Sequence, residues 1–309
     1  MRERSDFAPN GECPLDYSEL MKELNALTEE YPFAEMLYLG NSILGRSIPM
    51  LKLGHGRGEV LFVGAHHGME WLTSALLLRF LRELCRYAAD ERCFGGTSVQ
   101  LLLSARTLYI LPMLNPDGVD YQIHGVSDDN PLRERLLEMN GGSHDFSHWQ
   151  ANARGVDLNH NYDAGFAEYK KLEKEVGILS GAPTRYSGEV AESEPEVRLL
   201  CDFIRFHDSL RAVMTLHTQG EEIFYQSGGV ELPRSRVIAR RLSELCGYRC
   251  SRAEGAAAYG GLTDWCVQVR GLPSFTLECG KGENPLPAKD LEPIWHRIAH
   301  ALFAFPSLV

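Results

Sequence analysis

Val60-Leu61-Phe62-Val63-Gly64-Ala65-His66-His67-Gly68-Met69-Glu70-Trp71 sets an unbroken apolar run directly against imidazoles and a carboxylate. The apolar run reads as a strand, and it stops where His67 and Glu70 stand three residues apart. That is half of a metal site. Catalytic zinc keeps three protein ligands and one open position, and two histidines with a glutamate are a recurring set. His217 offers the third ligand, closing a second β-like run, Ala212-Val213-Met214-Thr215-Leu216. A third run, Ser274-Phe275-Thr276-Leu277, ends on Glu278. In open α/β sheets ligands sit outside the carboxyl ends of the strands, so these three ends are expected to meet in one crevice. The residues therefore read as one zinc per chain, held by His67, Glu70 and His217, with Glu278 as general base.

A plainer explanation exists for each of them. A lone His-x-x-Glu is most often a surface pair, and Glu278 taken alone would read as a buried acid paired with an arginine. Placement weighs against both, because the ligand types stand at strand ends, beside small residues that permit close approach to the backbone. Zinc acidifies water toward a pKa of ~7. A carboxylate at position 278 then accepts the water's proton and returns it to the leaving amine, work that general acid-base catalysis gives to one poised group.

Five motifs carry a resemblance when taken in order: His67-Gly68-Met69-Glu70-Trp71, Asn115-Pro116-Asp117-Gly118, Gly155-Val156-Asp157-Leu158-Asn159, Leu216-His217-Thr218-Gln219-Gly220 and Thr276-Leu277-Glu278. From Asp16 to its end the chain resembles the zinc metallocarboxypeptidases of the carboxypeptidase A superfamily. Three further strings are similar to one branch, the bacterial γ-D-glutamyl-(L)-meso-diaminopimelate peptidases: Trp149-Gln150-Ala151-Asn152-Ala153-Arg154, His217-Thr218-Gln219-Gly220-Glu221-Glu222 and Gly280-Lys281-Gly282-Glu283-Asn284-Pro285. The resemblance implies a twisted, mixed, mostly parallel eight-stranded sheet between helices, a zinc cofactor, peptidase activity and a muropeptide-derived peptide substrate.

It also marks departures. In the larger superfamily the Gly-Val-Asp motif ends in Asn-Arg and grips a terminal carboxylate, whereas here Asn159 is followed by His160. Histidine lacks the permanently charged bidentate fork of arginine, so of these two expected substrate-binding residues His160 is expected to give a softer, pH-dependent contact. The arginine that stabilises the oxyanion in many relatives falls at Gln150, which leaves Gln150 and Arg154 as alternatives for that role. Tyr259, directly before Gly260-Gly261, stands near a tyrosine that relatives carry slightly earlier, and either supplies a hydroxyl to substrate or packs. Asp157 resembles the carboxylate that orients a ligand histidine. His66 reads as a structural hydrogen-bonding neighbour, while His144 and His148 carry no chemistry.

Periodicity gives the organisation around these motifs. Helical spacing covers residues 16–30 and 71–87; β-like runs lie near 35–40, 47–53 and 59–64, and a strand spans 107–113. Gly54-His55-Gly56-Arg57-Gly58 is expected to join two of the strands as a hairpin, Asn115-Pro116-Asp117-Gly118 to form a turn, and residues 118–161 to be irregular. A helix begins at Ser193-Glu194-Pro195-Glu196 with a serine cap and runs to about His207, and others follow near 231–246, 261–270 and 288–303. No repeat or linker divides the chain, so residues 1–309 are expected to form one α/β domain.

With 44% hydrophobic residues the chain buries a large core, and a net charge of -11 without a basic stripe excludes nucleic acid and disfavours an anionic membrane. Residues 1–10 lack the apolar core of a secretory signal, which makes the cytoplasm the expected location. The eight cysteines show no CxxC spacing and are expected to be free thiols, with Cys279 packing as a small hydrophobe. Two other functions stay open beside the cell-wall peptidase: a metallocarboxypeptidase or amide deacylase on another acidic acyl substrate, and a zinc-binding protein without turnover. Glu278 argues against the last.

Overall fold

The computed structural model describes residues 14–309, so the readings of residues 1–10 and of Cys13 fall outside the described residues. Asp16 caps the first helix, α1 (Tyr17–Glu30), by accepting from the Glu19 amide at 2.8 Å. There follow β1 (Glu35–Asn41), β2 (Ser47–Leu53), β3 (Gly58–Val63), α2 (Trp71–Ala89), a small hairpin of β4 (Cys93–Phe94) and β5 (Thr97–Ser98), α3 (Val99–Ala105) and β6 (Arg106–Leu111). The middle of the chain gives α4 (Pro116–His124), α5 (Arg133–Met139), α6 (Phe166–Glu175) and α7 (Pro195–Phe206). The last third gives β7 (Leu210–His217), β8 (Glu222–Phe224), α8 (Ser235–Cys246), β9 (Arg249–Ser251), α9 (Leu262–Trp265), β10 (Ser274–Glu278) and α10 (Leu291–Leu308).

Eight strands form one sheet in the order β1-β2-β6-β3-β7-β10-β8-β9. The central strands β6, β3, β7 and β10 run parallel, and antiparallel pairings bring in β2 on one side and β8 on the other. Both faces are covered, which is why the central strands read as continuous apolar runs rather than as alternations. Val60 and Phe62 face a core built with α2 and α10, whereas Leu61 and Val63 face a second core with α7 and α9. Among the described residues no helix is long and apolar enough to cross a membrane.

The structure corrects several local readings. β2 and β3 do not form a hairpin, because β6 lies between them and pairs with both. The glycines of the connection serve a crossing instead: a Cβ on Gly56 would stand 1.9 Å from the Ala105 carbonyl carbon, and His55 donates its amide to Leu103 O. Asn115-Pro116-Asp117-Gly118 is the start of α4, with the Asn115 side chain accepting from the Gly118 amide at 3.0 Å and Pro116 in the first turn. The segment read as irregular thus contains α4 and α5, and its remaining loop packs Phe146, Trp149 and Ala151 against Tyr121 and Leu136.

The expected serine cap of α7 is also absent. Glu194 holds the N-cap position without a side-chain cap, while the Ser193 hydroxyl donates to Glu194 and accepts from Asn161. Glu196, in the first turn, is fully buried; its carboxyl meets its own backbone amide, the Ile43 amide at 3.3 Å and Asn152 Nδ2 at 3.4 Å. Burial, then the neighbouring carboxylates of Glu194 and Asp117, push its pKa from 4.5 up to about 8. Between those two values the folded chain holds a proton that the unfolded chain has released, so stability falls as pH rises through that window and levels off above pH 8. Glu196→Gln stays neutral and should lose this slope, gaining at most roughly 5 kcal/mol over the wild type at pH 9, less whatever relaxation recovers. Thermal unfolding of both proteins at pH 5 and pH 9 checks this; identical slopes would refute it.

Candidate metal centre

Three parallel strands deliver the centre. β3, β7 and β10 are neighbours in the sheet, and their carboxyl ends present His67 and Glu70, then His217, then Glu278. Beyond Val63 the backbone turns sharply at Ala65, whose φ of +43° lies in the left-handed region that a side chain disfavours. The turn is pinned by the Thr73 hydroxyl, which accepts from the Ala65 amide at 2.8 Å, and by the Asn115 amide, which donates to Ala65 O. Gly68 needs its missing side chain, since a Cβ there would meet Gly118 O at 2.3 Å. The small residue beside the ligands thus admits neighbouring backbone. A single helical turn, Gly68–Glu70, then carries Glu70 back toward His67.

His67, Glu70 and His217 are buried, and one ligand atom from each lies within 4.8 Å of the others. Among the described residues they form the one group of three or more such side chains able to hold a metal ion. His67 Nδ1 stands 2.8 Å from Glu70 Oε1, and His217 Nδ1 stands 3.1 Å from Glu70 Oε2. The other nitrogen of His67 meets Asp157 Oδ1 at 3.1 Å, the orienting contact that ligand histidines nearly always have. Burial opposes a charge on His67, yet Glu70 and Asp157 outweigh it and hold the imidazole's pKa well above its ordinary value. Burial likewise opposes ionisation of Glu70, and the imidazoles of His67 and His217 overcome it. No lysine or arginine pairs with Glu70, Asp157 or Glu278 among the described residues. Such surroundings favour a positive charge at the centre, and the two nitrogens and one carboxylate fit zinc.

Glu278 is partly exposed and lies beside His217 in the strand register, and its side chain has no hydrogen bond or ion pair among the described residues. The arginine-paired alternative therefore has no partner here. Burial, followed by the charge of Glu70, pushes the Glu278 carboxyl well above the usual carboxylate range. His66 bonds Tyr162 at 2.9 Å and Thr215 at 3.3 Å, in keeping with its structural reading. Asn284 has no counterpart among the residues singled out from the sequence. It donates to Thr218 O at 2.7 Å and reaches Glu70 Oε1 at 3.4 Å, so it braces a ligand, and its only signal was the Gly280 to Pro285 string.

The remaining site residues divide. Gln150 donates to Asp157 Oδ2 at 2.8 Å and accepts from Thr184, one hydrogen bond away from the partner of His67. Arg154 is exposed and its guanidinium turns to Glu194 at 3.8 Å. Asn159 accepts from the Leu262 amide at 3.1 Å and donates its own amide to Asp157, leaving its Nδ2 without a partner among the described residues. His160 lies flat on Tyr169, 3.9 Å between ring centres, and its Nδ1 bonds Tyr259 O at 2.8 Å. Burial pulls its pKa below the ordinary histidine value. Tyr259 packs its ring over Gly165, which has no side chain to obstruct it. His144 and His148 are exposed, and the seven described cysteines are free, with Cys279 fully buried.

Residues 20–301 match the zinc carboxypeptidase family model. The chain is 32% identical to gamma-D-glutamyl-L-diamino acid endopeptidase 1 of Lysinibacillus sphaericus, over 93% of this chain and 70% of that protein. It is 31% identical to the uncharacterized protein YqgT of Bacillus subtilis (strain 168), over 93% and 76% of the two chains. Among solved structures, thrombin activatable fibrinolysis inhibitor superposes with a TM-score of 0.74 at 21% identity, over 97% of this chain and 75% of that one. The chain belongs to the zinc carboxypeptidase family and is a zinc metallopeptidase.

Proposed function

We propose that this peptidase hydrolyses the amide bond between the γ-carboxyl of D-glutamate and a diamino acid, meso-diaminopimelate, in muropeptide-derived peptides. The observation that carries the reading is the likeness to the Lysinibacillus endopeptidase whose name states that bond, over nearly all of this chain. His160 supports it, since it stands where an ordinary carboxypeptidase carries its carboxylate-gripping arginine.

His67, Glu70 and His217 would hold the zinc. Bound there, zinc supplies Lewis acidity that polarises the scissile carbonyl and makes a water nucleophilic at neutral pH. Asp157 fixes the ring of His67, Asn284 and the Thr218 amide brace Glu70, and Glu278 takes the water's proton and hands it to the leaving amine. For the developing oxyanion Gln150 is favoured over Arg154, because Gln150 is tied to Asp157 while Arg154 is turned toward Glu194. Asn159 offers a free amide donor to substrate. His160, with Nδ1 engaged by the Tyr259 carbonyl, offers Nε2 as an acceptor when neutral, and Tyr259 acts through that carbonyl.

The test is kcat/KM on L-Ala-γ-D-Glu-meso-diaminopimelate against ordinary C-terminal amino-acid substrates, for wild type and His160→Arg. A preference of at least ~100-fold for the cell-wall peptide is expected in the wild type, the order that one charged contact of ~1.5 to 3 kcal/mol generates. His160→Arg should narrow it. Equal or better hydrolysis of ordinary peptides by the wild type would overturn the substrate assignment while leaving the zinc chemistry in place.

A further inference from the structure

A polar cavity of about 140 Å³ is lined by Gln226, Ser227, Arg252, Ala258 and the buried carboxylate of Asp264. A water needs only ~10 to 15 Å³ by the same measure, so the space holds a multi-atom head group. Its wall is coupled to the centre by short links. Asp264 accepts from the Gly261 amide at 3.0 Å, the next amide, Leu262, donates to Asn159, and Asn159 bonds the Asp157 that orients His67. Thr263 bonds Thr276 at 2.9 Å, two residues before Glu278. Asp264 is fixed by the Ser227 hydroxyl, which Gln268 holds in turn at 2.7 Å.

Opposite charges share this cavity without neutralising each other. Arg252 is exposed and makes no hydrogen bond or ion pair among the described residues, although the chain carries a net charge of -11. A second cavity of about 310 Å³ shares Gln226 and Arg252 and adds Arg236 and Arg240, which extends the positive side outward. Arg236 is already paired with Glu231. A much larger neutral side chain would leave both the acid and the guanidinium unused. A larger cavity of about 360 Å³, lined by Phe33, His55 and Ser104, takes in the crossing beyond β2 and touches none of the residues of the centre.

We infer that this cavity selects the leaving diamino acid by its far end, the carbon that bears both an ammonium and a carboxylate, with Arg252 on the carboxylate and Asp264 with Gln226 on the ammonium. The inference rests on the reading under Proposed function and adds the residues that separate meso-diaminopimelate from lysine, which presents the ammonium alone. A guanidinium grips a carboxylate bidentately, and a site built for that contact penalises an analogue that lacks it.

The experiment compares two tripeptides, L-Ala-γ-D-Glu-meso-diaminopimelate and L-Ala-γ-D-Glu-L-Lys, for wild type and Arg252→Gln, with kcat and KM determined separately and thermal unfolding as a check on folding. The wild type should prefer the diaminopimelate peptide by roughly 10- to 100-fold, the range that one charge-assisted contact commands. Arg252→Gln should erase most of that preference through KM, with kcat and the lysine peptide changed less than about threefold. A wild type that cleaves the tripeptides with no preference, or an unchanged ratio in Arg252→Gln, overturns this assignment alone. A wild type inert on both peptides overturns the substrate reading, and this assignment with it.

Discussion

Glu278→Gln should bind zinc as the wild type does, unfold at the same temperature and turn over roughly a hundred- to ten-thousandfold more slowly. The amide matches the carboxylate in shape and cannot accept a proton. No structural partner is lost, because the Glu278 side chain makes no hydrogen bond or ion pair among the described residues. Burial and the nearby Glu70 charge push this carboxyl above the usual carboxylate range and so disfavour the ionised form that a base needs. Zinc held by His67, Glu70 and His217 would add a positive charge at the centre and favour the ionised form. Steady-state rates with elemental analysis on one preparation check both halves. Wild-type turnover would remove Glu278 from the mechanism, and a collapsed fold would assign it to structure instead.

His217→Ala should abolish activity to background and reduce bound zinc from about one per chain to a small fraction, since catalytic zinc has three protein ligands and this removes one. The loss should exceed that of Glu278→Gln, because metal, nucleophile and carbonyl polarisation disappear together. Among the described residues Glu70 would then keep only His67 and the weak reach of Asn284 as side-chain partners. Elemental analysis decides it: a fully loaded, fully active His217→Ala protein would mean that the ligand set lies elsewhere.

The centre was legible in the sequence because its residues stand at the ends of buried strands. An apolar run that stops on His217 or Glu278, or just before His67, marks the strand and a candidate site residue in one stretch of chain. Pairing between strands leaves no such local trace. The glycines at 54, 56 and 58 suit a hairpin and a backbone crossing equally well, and only the insertion of β6 decides between them. Asn115-Pro116 shows the same ambiguity, since the residues that start a turn also start a helix. α6 escaped notice because Phe166–Glu175 is mostly charged and polar, with an apolar face too narrow to stand out. Glu196 and Asn284 matter through partners 153 and 214 residues away, Ile43 and Glu70, which no spacing rule brings together.

The most direct measurement is mass spectrometry of the products from L-Ala-γ-D-Glu-meso-diaminopimelate, with the enzyme as purified, after chelation and after zinc is restored. The expected products are L-Ala-D-Glu and free meso-diaminopimelate, absent after chelation and recovered with zinc. An intact cell-wall peptide under conditions where ordinary C-terminal amino acids are released, or cleavage that survives removal of the metal, would contradict the assignment.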